Sequence, residues 1–259
     1  MSERARSILA PASLLLALLA LWELAAQWDV LADLLSIKPF LVPAPSAIAE
    51  SLWEDRELLA DNAWVTLKEI VLGFALATVL GVGFAILIHL SETARRAVYP
   101  LLVGSQTIPI IAIAPVLVIW FGFGLGPKLA IIALICFFPI TVNTADGLRS
   151  VDPDLIKMMR TLGAGRAQIL RRAELPWALP FIFSGAKIAI AVAVIGAVFG
   201  EWAAANEGLG HMMQNAQSQL QTARVFAAIA VLSAIAISLF ALLSLLERRI
   251  VTWKESPAR

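Results

Sequence analysis

The chain has 259 residues, of which 60% are hydrophobic and 15% charged, with a formal net charge of +1 and a mean hydropathy of +0.84. A soluble domain of this length needs more surface charge, so the composition points to a membrane; a near-zero net charge without a basic patch interleaved with aromatics gives no sign of a nucleic-acid partner. One cysteine, Cys136, and two distant histidines, His89 and His211, provide neither a disulfide framework nor a metal-ligand spacing.

The first apolar run, about 8–27, follows Arg4 and Arg6. It mimics a secretory signal, but it has the length of a full span rather than the ~7–15 residues of a signal core, so it reads as a retained first helix. Residues 28–63 form an acidic loop (Asp29, Asp33, Glu50, Glu54, Asp55, Glu57, Asp61). Within it, Pro39, Pro43 and Pro45 predict an extended link leading into a short surface helix that begins near Ser46. Further spans follow at about 65–90, 98–121 and 128–145. The second span carries Gly73, Ala77, Gly81 and Ala85 at intervals of four, a stripe where another helix can approach closely. The third contains Pro109 and Pro115 and is expected to be kinked or broken.

Between Leu148 and Pro180 the apolar pattern gives way to LRSVDPDLIKMMRTLGAGRAQILRRAELPWALP. Asp152 suits an N-cap and Pro153 the first helical position. Leu155, Met159 and Leu162 recur at i, i+4, i+7 on one face, opposite Lys157 and Arg160, and Gly163 can end the helix in a left-handed cap. Arg166 to Ala173 restarts a basic helical turn, which Leu175-Pro176 is expected to close. A loop that merely joins two spans needs none of this order, whereas one that docks on a partner does.

Span five, about 178–201, has a second small-residue stripe at Gly185, Ala189, Ala193 and Ala197. Two readings stand for both stripes: helix packing within one subunit, or a dimer or sliding contact. The polar segment Asn206 to Gln221, with Gly208 and Gly210 framing a turn, reads either as a gate or docking surface or as a plain connection. Span six covers about 224–246.

Lysine and arginine placement orients the spans. With the N-terminus inside, the cytoplasmic segments hold Arg4, Arg6, Arg95, Arg96, Arg149, Lys157, Arg160, Arg166, Arg171, Arg172, Arg248, Arg249, Lys254 and Arg259. The opposite side holds Lys38, Arg56, Lys68, Lys128 and Arg224, a bias of 14 to 5 with Lys187 inside a span. Polar residues within or beside spans are Gln106, Thr107, Thr141, Asn143, Lys187 and Glu201. A charge in hydrocarbon costs about 2.5–3.5 kcal/mol on insertion scales, so each charged one needs a reason. Lys187 either snorkels or pairs, or else contacts substrate; Glu201, followed by Trp202, either lines a path or makes a structural hydrogen bond. No internal repeat and no appended soluble domain is visible.

The interruption resembles the cytoplasmic loop of permease subunits of bacterial ATP-binding-cassette importers. That loop reads Glu-Ala-Ala, three residues, Gly, nine residues, Ile, one residue, Leu-Pro. Gly163, Leu175 and Pro176 stand at the matching spacing, while Lys157-Met158-Met159 replaces Glu-Ala-Ala and Ala173 replaces Ile. Ile108 to Pro115, Ile119 to Gly124, and Gly200-Glu-Trp with Gly208-Leu-Gly are similar to the nitrate, sulfonate and taurine branch. Within that branch Gly200-Glu-Trp, Gly208-Leu-Gly, Asn215-Ala and Gln221 to Ala227 look most like permeases for hydroxymethylpyrimidine, a thiamine precursor, and riboflavin permeases look similar. The absence of a mid-membrane arginine to greet a small anion agrees with that assignment.

The resemblance implies an all-α membrane protein with about six transmembrane helices, one permease domain over 1–259 and a coupling loop at about 148–177. It implies a multi-pass protein of the bacterial plasma membrane with both termini cytoplasmic. Partners would be cytoplasmic ATP-binding subunits, a second copy of the permease, an external solute-binding protein and membrane lipid, with no cofactor. Coupling to the ATPase would fall to Leu155, Met159, Arg160, Leu162, Gly163, Arg166, Leu175 and Pro176. Leu155, Met159 and Leu162 would each contribute about 1.5–3 kcal/mol if fully buried, and the arginines would pair with acidic rims or with lipid headgroups. Gln106, Thr107, Asn143 and Glu201 are the candidate translocation path. The chain has no Gly-x-x-x-x-Gly-Lys-Ser/Thr phosphate loop and no nucleophile–base constellation, so ATP hydrolysis is expected on a separate subunit. The alternative from another class, a stand-alone secondary carrier, calls for mid-span ionisable groups or inverted repeats.

Overall fold

Residues 3–28, 38, 41–105, 107 and 109–253 are described in a computed structural model, with side chains from Ser13 onward except Val103 and Ser105. The described residues are helical, with no strand. In chain order the helices are α1 (Glu3–Gln27), α2 (Pro45–Glu54), α3 (Arg56–Leu90), α4 (Glu92–Ser105), α5 (Ile110–Phe121), α6 (Leu125–Arg149) and α7 (Pro153–Thr161). They continue with α8 (Arg166–Ala204), α9 (Leu209–Ser218) and α10 (Thr222–Ile250). Among these, α3, α6, α8 and α10 are long and apolar enough to cross a membrane, and Ser13–Gln27 and α5 are shorter apolar helices.

Three elements differ from the sequence expectation in instructive ways. The segment read as span three is two helices, because Pro109 (φ −65°) stands at the N-cap of α5 and cannot continue α4. With 12 residues, α5 covers about 18 Å, well short of a ~30 Å hydrocarbon core. The expected stop at Leu175-Pro176 does not occur, and α8 runs through it. Its residues Leu170–Glu174 form a wide π-type turn, with the Leu175 N–H reaching back to the Leu170 carbonyl. That extra residue widens the backbone just where the Pro176 ring would otherwise strike the preceding turn. The polar connection after Asn206 contains α9, whose Leu209, Met212 and Ala216 share a buried face. The loop expected over residues 28–63 also ends early: α3 starts at Arg56, ahead of its apolar run.

The described chain divides into two compact units, one of Met1–Trp64 with Glu207–Leu232 and one of Val65–Asn206 with Ser233–Arg259. In the first, Glu23 accepts from the Ser46 backbone N–H (2.9 Å) and hydroxyl (2.7 Å), fixing α1 to the start of α2. Arg224 grips Asp55 through two hydrogen bonds of 2.8 and 2.7 Å, and the Gly208 N–H donates to Asn62 Oδ1 at 2.7 Å.

The second unit is built around α6. Ile132, Cys136 and Ile140 of α6 are fully buried against Ile70 and Ala77 of α3 and Ala189, Ile190, Ala193 and Ala197 of α8. Ile235, Leu239 and Leu243 of α10 pack on the same cluster. Both small-residue stripes therefore serve packing within one chain. A Cβ added at Gly73 would lie 2.6 Å from Ile132 Cγ2, and one at Gly185 would lie 2.6 Å from the Pro139 carbonyl. Such backbone approach is what lets helices associate in lipid, where no hydrophobic force drives them together.

Candidate coupling segment and buried polar groups

Helix α7 is a self-contained, capped unit. The Asp152 side chain accepts from the Asp154 N–H at 2.8 Å, and Pro153 opens the helix as its composition predicts. At the other end Gly163 has φ +83°; its N–H reaches the Arg160 carbonyl (3.0 Å) and the Ala164 N–H reaches that of Met159 (2.9 Å). This pair of bonds is a Schellman motif, and it needs a left-handed residue at Gly163.

The sequence-predicted coupling residues separate into two groups. Leu155, Met159 and Pro176 come together with Arg172, Ala173, Trp177 and Trp253 around an open cavity of about 350 Å³. Met159 thus faces its own chain. Leu162 is 78% exposed, Met158 53% and Leu155 36%, so the apolar residues presented outward are Leu155, Met158 and Leu162 at i, i+3, i+7. Met158 was missed by the i, i+4, i+7 reading. Arg160, Gly163 and Arg166 are exposed, and Leu175 is half-buried behind the wide turn. Lys157 pairs with Asp154 at 2.8 Å on the exposed face.

The candidate path residues are held in different ways. Gln106 lies outside the described residues. Thr107 is exposed and its hydroxyl donates to the Gly104 carbonyl at 2.7 Å. Asn143 is half-buried and donates to the Pro139 carbonyl at 2.7 Å, within α6. Glu201 is fully buried and accepts from the Thr66 hydroxyl at 2.6 Å. Lys187 pairs with Glu247 at 2.6 Å, joining α8 to α10.

Sequence reasoning missed the buried pair Lys128–Glu69. Lys128, read as a loop charge, opens α6 at 6% exposure and reaches Glu69 Oε1 of α3 at 2.6 Å. Glu69 is 2% exposed, and its second oxygen has no hydrogen-bond partner. A signal existed: Glu69 continues the α3 stripe of Gly73, Ala77, Gly81 and Ala85, and Glu201 continues the α8 stripe of Gly185, Ala189, Ala193 and Ala197. The same register in α3 ends at His89, whose Nε2 lies 3.0 Å from Glu174 Oε2.

Outside the spans, two carboxylates are tuned by arginine. Arg95, then Arg96, holds Glu92 down at about 2. The Arg224 guanidinium keeps Asp55 below its ordinary value, with the Ser51 hydroxyl adding to the effect.

Residues 77–252 match the family described as "Binding-protein-dependent transport system inner membrane component". The chain is 39% identical over 254 residues to the formylaminopyrimidine transport permease protein ThiX of Halalkalibacterium halodurans, covering 98% of this chain and 99% of that protein. It is 36% identical to the riboflavin transport system permease protein RibX of Chloroflexus aurantiacus, over 88% of this chain and 86% of that one. Among solved structures, a chain from inward-facing conformations of the MetNI methionine ABC transporter aligns with a TM-score of 0.65 at 21% identity. That alignment covers 77% of this chain and 97% of the other, and it shows the shared fold alone.

Proposed function

We infer the function from the family to which this chain belongs: the inner membrane components of binding-protein-dependent transport systems, the permeases of ATP-binding-cassette importers. That membership removes the stand-alone carrier, and it implies ATP-binding subunits and a solute-binding protein as partners. Our finer reading is that the imported solute is a thiamine-precursor pyrimidine. The observation that carries it is 39% identity along nearly the whole chain to a permease for formylaminopyrimidine. Riboflavin is the second reading, favoured by the 36% identity to a riboflavin permease; sulfonate, taurine or nitrate would use the same mechanism.

In this reading residues 1–259 form one permease domain, two copies form the path, and ATP is hydrolysed on separate subunits. The excess of lysine and arginine in the α7 segment and near both termini supports a cytoplasmic location for all three. α7 docks on the ATPase through Leu155, Met158 and Leu162. Burial of that outward face stabilises the contact, while Arg160 and its neighbours orient it. The Schellman cap supports this role, since a rigid, separately closed helix transmits displacement without unwinding.

The test is uptake into proteoliposomes holding the permease, its genomic-neighbour ATPase and binding protein. Labelled formylaminopyrimidine and hydroxymethylpyrimidine are expected to accumulate with ATP, and riboflavin and taurine are not. Accumulation of riboflavin alone would move the assignment to the second reading. Failure of the chain to recruit any ATPase would overturn the coupling reading itself.

A further inference from the structure

We propose that His89, Arg166 and Glu174 form a clamp that makes α3 move with the coupling segment, so that all three are positioning residues for ATP-driven transport. The inference rests on the reading of α7 as the ATPase docking helix and goes beyond it. It assigns a second line along which displacement of α7 travels, through α3 as well as through α8.

The clamp is built on the end of α3. The last carbonyls of a helix have no intrahelical partners, and a cation placed there is favoured by the helix dipole. Arg166 fills that role from a distant part of the chain, donating to the Leu90 carbonyl at 2.8 Å and to the His89 carbonyl at 3.3 Å. The same end of α3 is held a second time, by His89 Nε2 against Glu174 Oε2 at 3.0 Å, with both side chains largely buried. Neither contact is local in sequence, since each links α3 to a segment more than seventy residues on.

What makes the arrangement more than a cap is where the two partners sit. Arg166 is the first residue of α8 and Glu174 the last residue of its wide turn, Leu170–Glu174. The clamp therefore brackets the irregular stretch of α8 and fastens both of its ends to one point on α3. π-type turns of this kind concentrate at functional sites and are places where a helix can change its register or bend. With Arg166 and Glu174 both fixed to α3, the stretch between them behaves as one piece. A push on α7, delivered through the short link Leu162 to Gly165, then reaches α3 rather than being absorbed in the turn. α3 is also pinned at the far end of its buried stripe by Glu69 to Lys128. It can therefore pass the displacement along the face that packs on α6.

The experiment uses the full importer in proteoliposomes and measures ATP hydrolysed per solute accumulated. Glu174→Ala and His89→Ala are each expected to raise that ratio about five-fold or more, the scale of a typical coupling free energy between sites. ATPase recovery on purification is expected to stay unchanged, and the double variant to be no worse than either single one. His89→Gln, which can still donate to Glu174, is expected to restore the ratio to within about two-fold. The clamp is overturned by an unchanged ratio, by additive losses in the double variant, or by ATPase release that accounts for the lost transport. A second measurement covers variants that fold poorly. The single native cysteine, Cys136, is buried, so spin labels can be placed at the exposed positions Leu87 and Lys157. Their separation is expected to hold constant through the ATP cycle in the native sequence and to change in Arg166→Ala; a change of equal size in both overturns the clamp. If the native permease recruits no ATPase, the docking reading fails first, and that result is distinct from failure of the clamp alone.

Discussion

Replacing Lys128 by methionine should be among the most damaging single changes in the second unit, although it adds apolar surface to a membrane protein. Lys128 and Glu69 are 6% and 2% exposed, and their 2.6 Å bond joins α6 to α3. Glu69 already has one oxygen without a hydrogen-bond partner, so removing the ammonium takes away the cation that balances its buried charge. Breaking a buried pair from one side costs about 3–5 kcal/mol, a factor of roughly 10²–10⁴ in the unfolding equilibrium. Removing both charges is different, since an apolar pair of similar volume is often neutral or even stabilising. Lys128→Met with Glu69→Leu should therefore recover most of what Lys128→Met alone loses. Equilibrium unfolding in mixed micelles with increasing sodium dodecyl sulfate, followed by tryptophan fluorescence, gives the three values needed for a double-mutant cycle. If the double variant is as unstable as the sum of the singles, the pair is not the source of the loss and the reasoning fails.

Gly163→Val should abolish ATPase recruitment and Gly163→Asn should largely keep it, because asparagine tolerates the left-handed conformation at φ +83° far better than a β-branched residue; equal pull-down of ATPase by both variants counts against the cap. Leu162→Ser should weaken ATPase binding by about 10–150-fold, the equivalent of losing one buried leucine at ~1.5–3 kcal/mol, with membrane insertion unaffected; titration of solubilised permease against the ATPase measures this. The Asp55–Arg224 pair sets a pH signature. Because Arg224 lowers the Asp55 pKa on folding, the stabilisation is present above the ordinary value of 3.8 and is lost as pH falls through the lowered one. Asp55→Asn should thus reduce stability by at most about 1 kcal/mol between pH 5 and 8, and the gap to the native protein should close at more acid pH; a gap that widens there refutes the assignment.

The segment 148–180 was legible in local detail because its signals are local. Asp152, Pro153 and Gly163 act within their own turn, and each does what its residue type dictates. Leu175-Pro176 misled for the same reason: the rule that proline ends a helix assumes α geometry upstream. The wide turn at Leu170–Glu174 removes that assumption with no residue that announces it. Spans were found by length and hydropathy, yet 98–121 shows the weakness of a window average, since the apolar end of α4 from Val98 and the whole of α5 blend into one run across Pro109. By spacing, Met159 shares the face of Leu155 and Leu162. Its place beside Pro176, Trp177 and Trp253, around an open cavity, depends on a C-terminal tryptophan that no spacing within α7 can reveal.

The polar pairs lie on the same registers as the small-residue stripes. The stripes of α3 and α8 were read as runs of small residues that stop where the small residues stop. Extended by one more step of four, each meets a charge: Glu69 and His89 bound the α3 stripe, and Glu201 ends that of α8. A position on the buried face of a membrane helix cannot hold an ionisable side chain without a partner, so the register itself demands one. The chain answers with Lys128 for Glu69, Glu174 for His89 and the Thr66 hydroxyl for Glu201. Small residues bring the helices close enough to touch, but being small they offer little to fix one helix against another along the axis. Charged groups at the ends of the stripe supply that fixing, and for α3 one end is tied to the core helix while the other is tied to the segment behind α7. A helix held in this way has its two ends answerable to different parts of the molecule, which is what transmission of a mechanical displacement requires.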